Sequence, residues 1–285
     1  MWRASAEAKS AARLCPYGTE VVNPKRTVAE IWREYQRAGR NVTRTINDPM
    51  TTINLPAEYP RVRVVSSFAE LVATPWADGV NALCWPRALP GDFGEVVARL
   101  GAGEGIVALD EARLGALSLS EAGRAAVEVM VADFRRLREH GLEPALNCIH
   151  GYPRDEAARA LATDVFSYHA DSAPFEADTW LCTYAGAPSE GLLNEQARRR
   201  ADVPEMRAAL LRLYGGAEGK GFEQFLGENC HDLHYAPIAG ARPFSFGVGN
   251  LWRIACDWPG SPVPPCIHRA PDTRPGDPPR LLLIS

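Results

Sequence analysis

Lysine is nearly missing from this chain: of its 31 basic residues only Lys9, Lys25 and Lys220 are lysines. The arginine bias is one of composition, because the formal net charge is only -4. Without a surplus of positive charge the chain lacks the electrostatic footprint of a nucleic-acid binder. Long apolar runs are missing too. None approaches the roughly 20 residues of a membrane span, and "MWRASAEAKSAARLCPYG" at the start lacks the apolar stretch of a secretory signal. The expectation is a cytoplasmic protein with neither nucleic acid nor membrane as partner. No C-x-x-C occurs among the seven cysteines, at 15, 84, 148, 182, 230, 256 and 266. Most are therefore expected as small buried thiols, and a disulfide framework is not. The sequon "NVT" at 41–43 then carries no meaning. There is no internal repeat and no low-complexity tract.

What is present divides unevenly. Residues 1–60 read as an accessory segment, with a helix in "TVAEIWREYQRAG" capped by Thr27 and Glu30 and stopped by Gly39. Residues 61–285 read as one domain. "RVRVV" and "VNALCW" have strand character, and "SFAELVA" opens with a capping box, Ser67 to Glu70. The clearest helix is "SLSEAGRAAVEVMVADFRRLREHG", with Ser118 and Glu121 as capping box and Gly141 as stop. Its face of Val127, Met130, Val131, Phe134 and Leu137 should pack on a sheet. From "PALNCIHGY" onward the chain turns β-rich, through "VFSYH", "TWLCTY", "FSFGVG", "LWRIAC" and "RLLLIS". Short strands between Gly and Pro turns imply a barrel or sandwich. Residues 190–242 interrupt them with helical character, as a lid or mouth-lining insertion does.

The chemistry-bearing residues lie in the β-rich part. His169 and Asp171 are two apart, so on a strand they face the same way and can converge on one ion. "PPCIHRAP" offers His268 as a third ligand from a distant strand. Two imidazoles and one carboxylate on one side of an ion leave the opposite positions open, as in non-haem Fe(II) oxygenases. Arg280, 12 residues beyond His268, opens the last strand, where a guanidinium can clamp a carboxylate. Other candidates have blander readings. Cys230, His231 and His234 in "CHDLH" form no complete zinc set and read as lid packing or substrate contacts. His150 reads as a satisfied polar group and Met130 as core. Tyr168, Trp180, Tyr184 and Trp252 read as core aromatics, with Trp180 or Tyr184 able to face a pocket. Arg198 to Arg200 read as a solvated helix face, or more sharply as a contact for an anionic substrate group.

Taken together, H-x-D, a distal His and an Arg twelve residues later resemble the Fe(II)/2-oxoglutarate-dependent oxygenases. "GNLWRI" is similar to the strand that precedes their distal histidine, and "TWLCTYAGAP" to the strand after H-x-D. More closely, "YHAD", "LCTYAG", "LWRIACDWPG", "HRAP" and "RLLLIS" resemble a bacterial family of unestablished chemistry over about residues 140–285. Its pattern runs F-H-x-D, L-L-C-T-Y-R-G-x-G-T, H-R-S-P-P and R-L-L-L. The chain departs from it at "EADTW", where an arginine is usual, at "TYAGAPSEG", and in the length of 190–242. The resemblance implies an α+β fold with a double-stranded β-helix core (jelly-roll, cupin-like), N-terminal helices packed on it and a helical insertion. It implies Fe(II) on His169, Asp171 and His268, and 2-oxoglutarate on Arg280, with Tyr184 as a further cofactor contact. The reaction would be oxidation of a small-molecule substrate by dioxygen. Three other readings stand beside it: a cupin-like metalloenzyme that does not use 2-oxoglutarate, a zinc- or iron-binding protein of metal homeostasis, and a metal-free β-sandwich binding module.

Overall fold

The computed structural model describes residues 59–155, 160–273 and 276–285. The expected Thr27–Gly39 helix and nearly all of the accessory segment lie outside them. The described chain forms β1 (Val62–Val64), α1 (Phe68–Ala73), β2 (Ala82–Trp85), α2 (Phe93–Leu100), β3 (Ile106–Leu109), α3 (Glu111–Gly115), α4 (Glu121–Glu139) and β4 (Ala145–Ile149). There follow β5 (Tyr168–His169), β6 (Asp178–Ala185), β7 (Glu190–Leu192), β8 (Ala197–Arg199), α5 (Pro204–Tyr214), α6 (Lys220–Glu228), β9 (His234–Pro237) and β10 (Phe244–Ser245). β11 (Leu251–Ala255), β12 (Ile267–Arg269) and β13 (Arg280–Ile284) complete it. The class is mixed α+β, with two sheets. The larger has the order β1-β2-β11-β6-β13-β4-β3, and the smaller β10-β7-β12-β5-β9-β8. Neighbours run antiparallel throughout except β1 and β2.

Helix α4 begins two residues later than its sequence suggests. Ser120, not Ser118, is the N-cap, and its side chain accepts from the Gly123 amide at 3.1 Å. The reciprocal carboxylate comes from α2: Glu95 accepts from the Ser120 amide at 2.9 Å and from its hydroxyl at 2.5 Å. Gly141 takes the left-handed conformation (φ 83°) that ends a helix, as expected. The buried stripe is Gly123, Ala126, Met130, Asp133 and Leu137, one position round from the expected face. Asp133 is the surprise in it. It accepts from Arg87 Nη1 (2.7 Å), Arg136 Nη1 (2.7 Å) and the Tyr184 hydroxyl (2.9 Å), which supply what a buried carboxylate requires.

The larger sheet is apolar on both faces. Trp180, Cys182, Leu281 and Leu283 pack with Leu71, Val96, Met130 and Leu137 on the helix side. Leu181, Trp252, Ile254 and Leu282 pack with Phe244, Phe246 and Cys266 between the sheets. Each such side chain contributes about 1.5–3 kcal/mol on burial. Arg253 ties α1 to the sheet, donating to the last carbonyls of that helix (Leu71, Val72 and Thr74) and to Asp178 at 2.6 Å.

The segment 190–242 differs from the expected helical insertion. It contains α5 and α6, but it also supplies β7, β8 and β9 to the smaller sheet, where β7 lies directly beside β12. These strands are three or four residues long, too short for a visible alternation. Among the described residues no helix is long and apolar enough to cross a membrane.

Candidate metal centre and a buried guanidinium

The smaller sheet brings its histidines together by register. His268 on β12 is directly opposite His169 on β5, and His169 is directly opposite His234 on β9. Side chains on one rung share a face, and the rings lie 4.6 Å apart for His169 with His268 and 5.8 Å for His169 with His234. Asp171 follows just beyond the end of β5. Its carboxylate lies between the first two rings, 3.9 Å from His169 Nε2 and 3.7 Å from His268 Nε2. The three ligand atoms all lie within 4.8 Å of one another. Two atoms that each touch one divalent ion at about 2.1 Å are at most about 4.2 Å apart, so both carboxylate spacings suit a shared ion.

The surrounding bonds leave the right atoms free. His169 Nδ1 donates to the Ser167 carbonyl at 2.8 Å, and His268 Nδ1 to the Cys266 carbonyl at 3.3 Å. Each ring therefore presents an Nε2 lone pair towards Asp171. Thr179 donates its hydroxyl to Asp171 Oδ2 at 2.5 Å and fixes the carboxylate. Burial pushes His268 below the usual imidazole range, against the pull of Asp171 and with the help of His169. Burial also opposes ionisation of Asp171, but His268, His169 and the Thr179 hydrogen bond outweigh it and hold its carboxyl below the ordinary range. At neutral pH His268 is a neutral imidazole and Asp171 an ionised carboxylate, the forms that ligate a cation.

Arg280, the first residue of β13, is 3% exposed. Its Nη1 donates to the Tyr152 hydroxyl at 2.9 Å, and its Nη2 to Thr183 Oγ1 at 2.9 Å and Ser189 Oγ at 2.7 Å. Its Nε is buried without a partner. Among the described residues no carboxylate bonds it, and burial draws its pKa down from the ordinary guanidinium value. Its charge nevertheless reaches His268, adding to the field that keeps that ring neutral. A buried cation with a spare donor, held by three hydroxyls, has the chemistry to take an anion.

Not every anticipated residue joins. Tyr184 lies on the other face of β6, with its hydroxyl on Asp133 in the helix-side core. The residue of β6 that bonds Arg280 is Thr183, one position earlier, so Tyr184, expected as a cofactor contact, faces away from that guanidinium. His150 stands apart, with Nε2 3.5 Å from Cys148 Sγ. "CHDLH" is split: His231 opens a turn and packs near Phe225 at 5.7 Å, while His234 completes the histidine rung. Burial, then His169, Arg200 and His231, hold His234 well below its usual range, and it is hydrogen-bonded to Ser167. Tyr152, Ser189 and Thr179 were not singled out from the sequence. Thr179 and Thr183 lie on the same face of β6 as Leu181.

Comparison of the chain with known protein families, with curated proteins and with solved structures finds no match. The geometry above is what bears on function.

Proposed function

We propose that this protein is a non-haem Fe(II)/2-oxoglutarate-dependent oxygenase acting on a small-molecule substrate, built on a double-stranded β-helix core. The strand order supports the architecture. β11-β6-β13-β4 faces β10-β7-β12-β5, and the chain passes back and forth between these two four-stranded halves, as in an eight-stranded jelly roll. The observation that carries the function is the pairing of two sites. One is a His-Asp-His cluster able to hold a divalent ion, and the other is a buried guanidinium with no carboxylate of its own among the described residues.

His169, Asp171 and His268 would hold the metal through Nε2, a carboxylate oxygen and Nε2. The carbonyls of Ser167 and Cys266 fix both tautomers, and Thr179 keeps Asp171 turned inward. Arg280 would take the distal carboxylate of 2-oxoglutarate, with Nε as the donor still free and Tyr152, Thr183 and Ser189 preventing the guanidinium from turning away. Iron(II) with 2-oxoglutarate, when bound, supplies the activation of dioxygen. Phe246, stacked on His268 with centroids 6.3 Å apart, and Trp252 beneath it wall the cluster with apolar surface that excludes water.

The test is an anaerobic titration of metal-free protein with Fe(II) and then 2-oxoglutarate, following the weak visible charge-transfer band of the chelate. The band is expected in the wild type and absent from His169→Ala. Metal uptake without any band would move the assignment to a metalloprotein that does not use 2-oxoglutarate. No uptake at all would sink the cluster as a metal site.

A further inference from the structure

The sequence carries three consecutive arginines, and the structure treats them differently. Arg199 makes a two-pronged pair with Asp202, at 2.9 and 2.8 Å, and Arg198 donates to the Asp202 carbonyl at 3.2 Å. Arg200 is half-buried, and among the described residues it makes no side-chain hydrogen bond and no ion pair. The one opposing charge that reaches it is Asp164. Both oxygens of Asp164 are already engaged by main-chain amides, those of Phe166 at 3.1 Å and Asp155 at 3.2 Å.

The position of Arg200 is set by sheet register. β8 ends at Arg199, paired with Tyr235 on β9, and the neighbouring residue of β9 is His234. Arg200, the first residue of the short turn that follows β8, therefore comes just beyond the strand end, next to the rung that runs through His268, His169 and His234. Adjacent strands are about 4.8 Å apart, so the backbone at Arg200 is on the order of 12 Å from the metal-ligand pair. The arginine side chain spans part of that gap.

We propose that Arg200 is the specificity residue that anchors an oxyanion of the substrate, a carboxylate, sulfonate or phosphate. The substrate is then a small acid whose charged group lies several bonds from the carbon held at the metal. This rests on the oxygenase reading for the word substrate, and it deepens that reading by naming the class. A guanidinium recognises an oxyanion through two parallel donors. A half-buried one with no internal partner gains most from such a ligand, because its desolvation has already been incurred on folding. Arg280 and Arg200 then divide the work, one for the cosubstrate and one for the substrate.

Two-dimensional NMR of the arginine Nε–H signals in metal-free protein tests this, with sodium sulfate and sodium acetate as probes. Arg200→Gln and Arg280→Gln assign the two signals. The expected result is a saturable shift of the Arg200 signal with sulfate. Its half-saturation concentration should rise at least about tenfold in Arg200→Gln, when read from neighbouring amides, and stay within about threefold of wild type in Arg280→Gln. Arg200→Lys keeps the charge without the fork and should fall between, which covers a Gln variant that folds poorly. Equal sulfate response in wild type, Arg200→Gln and Arg200→Lys overturns the proposal. The Fe(II)/2-oxoglutarate band is read on the same samples and should survive in Arg200→Gln. A band present with no sulfate response at Arg200 sinks the anion anchor alone. A band absent from wild type sinks the oxygenase reading, and with it the substrate role, even where sulfate binds.

Discussion

Replacing Arg280 by glutamine removes a fully buried charge that no carboxylate among the described residues bonds, and the consequence follows from its burial. A ligand carboxylate on this guanidinium forms an ion pair screened by almost no solvent, since Arg280 is 3% exposed. Truncating one partner of such a buried pair costs about 2–5 kcal/mol, and each 1.4 kcal/mol is tenfold in affinity. Arg280→Gln should therefore weaken 2-oxoglutarate binding by roughly 30-fold to several thousand-fold. The fold itself should suffer little. Hydrogen bonds to Tyr152, Thr183 and Ser189 are lost, but an uncompensated buried charge and an orphaned Nε go with them. The assay is a four-way comparison: wild type and Arg280→Gln, each titrated anaerobically in the presence of Fe(II) with 2-oxoglutarate and with 2-oxobutyrate. The second ligand keeps the chelating end and lacks the distal carboxylate. Wild type should prefer 2-oxoglutarate by about the same factor that the substitution removes, while 2-oxobutyrate should not distinguish the two proteins. If Arg280→Gln weakens both ligands equally, or neither, the guanidinium does not read the distal carboxylate.

Tyr184→Phe should lower stability by about 1–3 kcal/mol, because Asp133 Oδ2 loses a buried donor, and should leave 2-oxoglutarate affinity unchanged; urea unfolding and the same titration check the two halves. Asp133→Ala should cost about 3–5 kcal/mol, since it strands the buried guanidinium of Arg87, and a midpoint shift under 1 kcal/mol would remove that pair from the account. Thr179→Val should weaken Fe(II) or Zn(II) binding by about 10–100-fold through Asp171, as measured by chelator competition. Acid should destabilise the metal-free protein. Burial keeps His234 and His268 neutral in the fold, whereas in the unfolded chain they take up protons near pH 6.5. The unfolded state then binds more protons, so stability declines as pH falls below about 6.5. A melting temperature that holds or rises between pH 7.5 and 5 contradicts this.

Much of the candidate centre was legible because it depends on local spacing. Two residues apart on a strand means one face, so His169 with Asp171 could be read directly, and Arg280 leads into a four-residue apolar run with clear strand character. The face of Tyr184 was not legible. Along β6 every residue from Thr179 to Tyr184 is buried, so no polar alternation says which set faces the helices, and a slip of one residue exchanges Tyr184 for Thr183. The cap of α4 failed for a related reason. Ser118 and Ser120 both look like N-caps, and the choice is made by Glu95, 25 residues away along the chain from Ser120. His234 was hidden by distance: its neighbour His169 is 65 positions earlier, and only the pairing of two short strands brings them level. Asp133 lies outside the apolar face the sequence suggests for α4, because periodicity does not see Arg87 arriving from another element.

The position of β13 bears on how the chain reaches this structure. Arg280–Ile284 is hydrogen-bonded on both sides, to β4 and to β6, although β4 is made more than 130 positions earlier. During synthesis the edges of β4 and β6 stand open until this strand emerges, and open edges invite pairing with other chains. A ribosome that stalls before position 280 thus releases a product with two sticky edges and no central strand. The strand that closes the sheet also begins with the guanidinium, so a molecule can hardly finish folding without installing Arg280. Quality control that removes chains with an open sheet would, by the same act, remove chains lacking Arg280.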